Sequence, residues 1–266
     1  MTRKLLAVAV ALIPMFAVIA CGGGGEAPTA EAPAASAPAA SAGAEMIDPA
    51  TLTDAGGVAG SVQFTGSAPD LQVIQMSADV YCLSSHADDE VTAQRVMVNE
   101  NGTLAQIFVY VKEGLEGKSF AVPSEPARLD QQGCMYVPHI IGVQTGQTLI
   151  ISNSDDTLHN VNAQPVNNPP FNIGQPMAGM EAPYTFENAE IMIPVRCDVH
   201  PWMSAFIGVV PNPYFTITDS EGNFSIDHLP AGDYVLEAWS EGLGTQTINV
   251  TVAPNETAEG NFTFGG

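Results

Sequence analysis

The greatest concentration of reactive side chains in this sequence lies in Val195-Arg196-Cys197-Asp198-Val199-His200-Pro201-Trp202-Met203. Cys197, His200 and Met203 put a thiolate, an imidazole and a thioether at positions i, i+3 and i+6 of one short loop. Thiolate and imidazole can hold a metal in a trigonal plane with a thioether weakly on the axis, a donor chemistry that suits copper. Such a site needs a second imidazole. The loop has none, so the missing ligand must come from elsewhere in the chain.

Upstream, Tyr136-Val137-Pro138-His139-Ile140-Ile141-Gly142-Val143-Gln144-Thr145-Gly146-Gln147-Thr148-Leu149 leads into Ile150-Ile151-Ser152-Asn153-Ser154-Asp155-Asp156-Thr157-Leu158-His159-Asn160-Val161. This succession of a Gly-Gln-Thr turn, an apolar strand, an Asn-x-Asp loop and His-Asn resembles the first ligand region of the cupredoxins. The Cys-x-x-His-Pro-Trp-Met loop about forty residues later resembles the amicyanin form of their second region. The resemblance covers about 90 residues and implies His159, Cys197 and His200 as equatorial copper ligands, Met203 as the axial one, and Asn160 as the asparagine that ties the two ligand loops together. It also implies that Trp202 and Pro201 flank a solvent-reaching His200, with Trp202 as an electron exit; packing of Trp202 against the adjacent strand is the other reading. Each residue alone has an ordinary explanation: a loop histidine is usually a surface group, a methionine beside Phe206 and Ile207 is usually core, and a cysteine is often a buried thiol. Three soft donors within seven residues and a matching His-Asn upstream outweigh those explanations, although zinc can take the same ligands.

A second cluster leaves two readings open. Cys82 and His86 share one loop, Cys134 and His139 another. In an oxidising compartment Cys82 and Cys134 would form a disulfide. Otherwise the four residues would make a second metal site for zinc or Cu(I).

The elements that must position these residues read as strands. Ser61–Thr65, Leu104–Val111, Thr148–Ser152, Ile191–Val195, Phe206–Val210 and Gly232–Trp239 are short apolar or alternating runs broken by Gly, Pro, Asn and Asp, and no window holds a convincing amphipathic helix. An all-β class follows, with two sandwiches, because about 220 residues of short strands exceed one compact sandwich. In the C-terminal stretch, Phe215 to Ile226 flanks an Asp-Ser-Glu-Gly turn, and Leu229-Pro230-Ala231-Gly232-Asp233-Tyr234 turns into a further strand, with His228 beside it as a turn residue. These residues resemble the carboxypeptidase regulatory-like, transthyretin-like domain, which implies a small sandwich without catalytic residues. Its opening strands are missing at its own front; Gly60–Gly66 and Gly102–Val111 look like that pair. The expected organisation is a stretch 58–119 contributing the first part of a discontinuous regulatory-like domain, a cupredoxin-type Greek-key sandwich over 120–212, and the remaining regulatory-like part over 213–266. Two consecutive sandwiches are the alternative.

The N-terminal region lies outside any core. Arg3 and Lys4 precede an apolar run, Leu5 to Ala20, that is short for a membrane span and ends in Val18-Ile19-Ala20-Cys21, which resembles a bacterial lipobox with Cys21 as the lipidated residue. Residues 1–21 would then be a lipoprotein signal peptide, and 22–45, rich in Gly, Ala and Pro, a disordered tether. Loss of Arg3 and Lys4 takes the formal charge from −22 to −24, which disfavours nucleic acid and favours a basic docking partner. The functional expectation is a lipid-anchored electron carrier of the periplasm or outer membrane that exchanges electrons with a larger redox protein. Copper storage or delivery, or an envelope scaffold with a structural metal, are the alternatives. An enzyme is not expected: five histidines leave few for a catalytic copper, and no acid/base pair, nucleophile motif or phosphate loop stands out.

Overall fold

The computed structural model describes residues 45–265; Cys21 and residues 22–44 of the expected tether lie outside them. The described chain is nearly all β. Helix is confined, among these residues, to a 3-10 turn at Pro49–Thr51 and one short α-helix, Val80–Ser85, in a stretch for which no helix was expected.

Residues 127–210 form a two-sheet sandwich. One sheet has the order Met180–Thr185, Thr148–Asn153, Ala127–Gln132, Met135–Val137; the other has the order Phe171–Gln175, His159–Ala163, Glu190–Arg196, Ser204–Val210, Ile140–Gln144. Ala127–Gln132 runs parallel to Thr148–Asn153, and Ile140–Gln144 runs parallel to Ser204–Val210, so the chain crosses between sheets instead of folding as successive hairpins. Leu129, Leu149, Ile151, Val161, Ile193, Val195 and Ile207 fill the space between the sheets. Burying each such side chain contributes roughly 1.5–3 kcal/mol.

A second sandwich takes strands from both sides of the first in sequence. Gly56–Thr65 pairs antiparallel with Asn223–Leu229 and parallel with Thr257–Glu259 and Phe262–Gly265. Phe108–Glu113 pairs with Phe215–Ile217 and with Gly232–Ser240, whose far edge carries Gly244–Val252. The expected strand from Leu104 to Val111 is split by Gln106, at φ 58, into Leu104–Ala105 and Phe108–Glu113. His228 sits within strand Asn223–Leu229, at φ 59 where the pairing register shifts, and forms a bulge where a turn residue was expected.

The continuous apolar run Phe108-Val109-Tyr110-Val111 is explained by burial on both faces. Val109 and Val111 enter the core of the second sandwich, while Phe108 and Tyr110 pack with Ile140, Met192 and Val210 of the first. Two glycines make that contact possible. Gly142 and Gly208 are paired across adjacent strands. A Cβ on Gly142 would lie 2.3 Å from the Phe215 ring, and one on Gly208 would lie 2.7 Å from Phe108, so the glycine pair is the notch that receives the two rings. His139 fastens the same boundary, with Nδ1 bonded to the Ser204 carbonyl at 3.0 Å and Nε2 to Glu241 Oε2 at 2.8 Å.

Residues 66–103 leave the second sandwich as a strap and return to it. Its two arms are held by Ile74 N–H to Val91 O and Ala93 N–H to Gln72 O, each 2.8 Å, and its tip is the Val80–Ser85 helix. Cys82 in that helix is disulfide-bonded to Cys134, 52 residues on. In the chain-entropy account a loop of that length costs the unfolded state about 4 kcal/mol. Because Phe108 packs at the boundary between the two sandwiches, Phe108→Ala should destabilise both by about 3–5 kcal/mol. The loss should appear equally in urea unfolding followed at Trp202 and at Trp239, read separately in single-tryptophan variants.

Candidate metal centre

The Cys197–Met203 loop joins two neighbouring antiparallel strands, Glu190–Arg196 and Ser204–Val210, at the register pair Arg196–Ser204. Two backbone bonds close it, Cys197 N–H to Met203 O at 3.2 Å and Met203 N–H to His200 O at 2.9 Å. Met203 is fully buried within the core of the first sandwich. His159 begins the adjoining strand His159–Ala163. The donor atoms of His159, Cys197 and His200 lie within 4.8 Å of one another, and all three residues are buried.

The outer nitrogens of both imidazoles are held by carboxylates. His159 Nε2 donates to Asp155 Oδ2 at 2.9 Å, and His200 Nε2 donates to Asp79 Oδ2 at 3.2 Å. Asp155 also accepts from the backbone N–H groups of Gly133 and Cys134, at 2.8 and 2.7 Å. Burial pushes the Asp155 carboxyl up, but the His159 bond and these two amides outweigh it and keep the group below its ordinary range. Asp79 is lowered chiefly by the Cys82 amide. With both carboxylates able only to accept, the two Nδ1 atoms turn toward each other, 2.8 Å apart. Burial disfavours a charged His159, yet hydrogen bonds to Asp155 and Cys197 outweigh it and raise the group to about 9.

Cys197 is tuned the opposite way. Burial pushes the thiol up, and hydrogen bonds from His159 and from backbone amides of Asn160, His200 and Val199 overcome that and lower it. Asn160 ties the ligand loops together: its Oδ1 accepts from Asp198 N–H at 2.8 Å and lies 3.4 Å from Cys197 Sγ. Side-chain amides of Asn162, Asn160 and Asn172 converge on the Asp198 carboxylate at 2.9–3.1 Å and hold it below the usual range. Two imidazole nitrogens and a thiolate, dry and convergent within 4.8 Å of one another, are a donor set that fits a copper ion.

The structure corrects one expectation here and decides between two readings left open. His200 does not reach solvent: it is 2% exposed, because the strap lays Asp79 on its outer edge and Trp202 packs against it at a tilt, with ring centroids 5.0 Å apart. Trp202 is half-buried and donates through Nε1 to the Cys134 carbonyl at 3.1 Å. The second metal site is not formed: Cys82 and Cys134 are joined and offer no thiolate, while His86 Nε2 donates to the Gly133 carbonyl at 2.6 Å and His139 faces Glu241. Gly133 and Cys134, at φ 60 and 55, form the tight two-residue turn that brings Cys134 under the strap. Asp79, Asp155 and Asp198 were missed in the sequence. The available signals were an Asp three residues before Cys82, another four before His159, and a third directly after Cys197.

Fold and site together define a nearly all-β protein in which one sandwich carries a candidate metal centre beside a second small sandwich. A family model for the carboxypeptidase regulatory-like domain matches residues 206–265. No curated protein matches the chain in sequence at a significant level. Among solved structures, a copper-containing nitrite reductase from Thermus scotoductus SA-01 is similar at 22% identity over 35% of this chain and 24% of its own, with a TM-score of 0.31. A Cu(I) methionine-to-alanine variant of amicyanin is similar at 21% identity over 33% of this chain and 85% of its own, with a TM-score of 0.29. A purple cupredoxin from Nitrosopumilus maritimus is similar at 22% identity over 31% of this chain and 98% of its own, with a TM-score of 0.27. The nitrite reductase corrects the expectation that an enzyme is excluded, since a partly similar structure is itself an enzyme.

Two outcomes check the centre. Thiol titration of the unfolded 45–266 chain should find one group, Cys197, without reductant and three after reduction. Asn160→Ala should lower copper affinity 10–100-fold in a chelator competition, the range typical for residues that orient metal ligands.

Proposed function

We propose that this chain is a type 1 copper protein of the cell envelope that accepts and donates single electrons in exchange with a larger redox protein. The observation that carries this reading is the convergence of His159, Cys197 and His200 in a dry pocket closed by the Met203 loop. Bound there, copper supplies a one-electron couple between Cu(II) and Cu(I). The chain supplies the rest. The Cys197 thiolate and the Met203 thioether favour the lower oxidation state, and the two imidazoles serve both. Each imidazole is held at its outer nitrogen, and the Cys197 loop is held by Asn160, so the donors need not move when the charge changes. Burial of all three donors excludes water from the coordination sphere.

Trp202, the half-buried ring against His200, is the proposed exit for the electron. Support for the envelope comes from the lipobox-like stretch ending at Cys21, which would anchor the protein to a membrane through lipid, and from the Cys82–Cys134 disulfide, which belongs to an oxidising compartment. Support for a basic docking partner comes from the formal charge of −22. Copper-loaded protein should show an intense thiolate-to-copper charge-transfer band in the visible spectrum that disappears in Cys197→Ser. A colourless protein at full copper occupancy would contradict the reading.

A further inference from the structure

Asp79 belongs to none of the strands that present the metal donors. It arrives on the strap, 121 positions from His200 in sequence, and its two oxygens do different things. Oδ1 accepts the Cys82 amide at 3.0 Å as the cap of the Val80–Ser85 helix, while Oδ2 meets His200 Nε2 at 3.2 Å. The chain of contacts then continues across the site. Cys82 is bonded to Cys134, whose amide donates to Asp155, and Asp155 holds His159. Tyr81, two residues after Asp79, adds a bond to Asp155 Oδ1 at 3.3 Å. The strap tip is therefore built onto both imidazoles at once, and the carboxylate on His200 is its own contribution.

Resting on the copper reading above, we propose that Asp79 is a positioning residue that fixes the tautomer of His200 and holds down the reduction potential of the centre. Its role as acceptor keeps hydrogen on Nε2 and leaves the Nδ1 lone pair for the metal. Its negative charge, delivered to the outer edge of a ligand in a water-excluded site, stabilises the more positive oxidation state over the less positive one. The cofactor pocket in one sandwich is thus completed by a segment that both leaves and rejoins the other.

Asp79→Asn removes the charge with the smallest change of shape. Asparagine has one acceptor oxygen; placed on His200 Nε2, it gives up the bond from the Cys82 amide, while the Cys82–Cys134 disulfide still anchors the helix. The copper-loaded variant should keep the charge-transfer band and show a raised reduction potential. Asp70→Asn, which removes an exposed charge elsewhere on the strap, should leave the potential where it is. A blue Asp79→Asn protein whose potential matches that of Asp70→Asn would overturn the proposal and leave the electron-carrier reading standing. A colourless wild type would overturn the carrier reading instead, and the positioning role would then be decided on Zn(II)-loaded protein by nuclear magnetic resonance. There the slowly exchanging Nε2 proton of His200 should be lost in Asp79→Ala, and its persistence would overturn the proposal.

Discussion

Two imidazoles and a thiol kept dry within a few ångströms of one another are a heavy desolvation cost, and the structure is organised around meeting it. A buried polar atom without a partner costs about 1–3 kcal/mol. Every polar atom of the centre that is not turned inward is therefore bonded to protein: His159 to Asp155, His200 to Asp79, and Cys197 to the amides around it. Those carboxylates are themselves buried or half-buried and need donors in turn. Asp155 finds them in the Gly133–Cys134 turn, and Asp79 finds one in the first turn of a helix. Satisfaction of the centre thus spreads outward until it includes a segment that is no part of the metal-bearing sandwich.

The parts of the fold that could be read from the sequence are those governed by local repetition. Short apolar or alternating runs punctuated by Gly, Pro, Asn and Asp give an all-β class, because period-two patterning and turn chemistry are written residue by residue. The donor types were equally legible, since a soft-ligand loop is compact in sequence, and the structure brings His159, Cys197 and His200 together. What escaped was everything that depends on distant chain. Asp79 looks like any acidic residue of a polar stretch until the strap carries it 121 positions to His200. For the same reason His200 was expected at the surface: the element that covers it comes from elsewhere in the chain, and nothing in Pro201 or Trp202 announces it. His228 was taken for a turn residue because a bulge in the middle of a strand uses the same backbone freedom as a turn.

The boundary between the sandwiches follows a different rule from the centre. There the contact is apolar, with Phe108 and Phe215 seated against Gly142 and Gly208 and Phe206 against Trp239. One hydrogen-bonded contact, His139 with Glu241, lies at its rim. An apolar boundary of this kind has no directional bonds to exchange and offers no alternative register, so it suits two bodies that must keep a constant relation.

The pairing of Gly56–Thr65 has a consequence for the time course of folding. Apart from a bridge of Gln63 to Thr103 with a Phe64 N–H bond to the Gly102 carbonyl, this strand pairs only with strands that follow it by about 160 residues or more, and the last of them, Phe262–Gly265, ends the described chain. During synthesis most of its hydrogen-bonding edge has no partner until about 160 further residues have been made, whereas most strands of the 127–210 sandwich find theirs within a few dozen residues. Non-local pairings are slow because loop-closure entropy must be overcome before they yield any contact energy. An early, unpaired strand is also where a growing chain is most exposed to association with its neighbours. The order of events is thereby set: the sandwich that holds the candidate site can form first, and the sandwich that encloses it in sequence closes last.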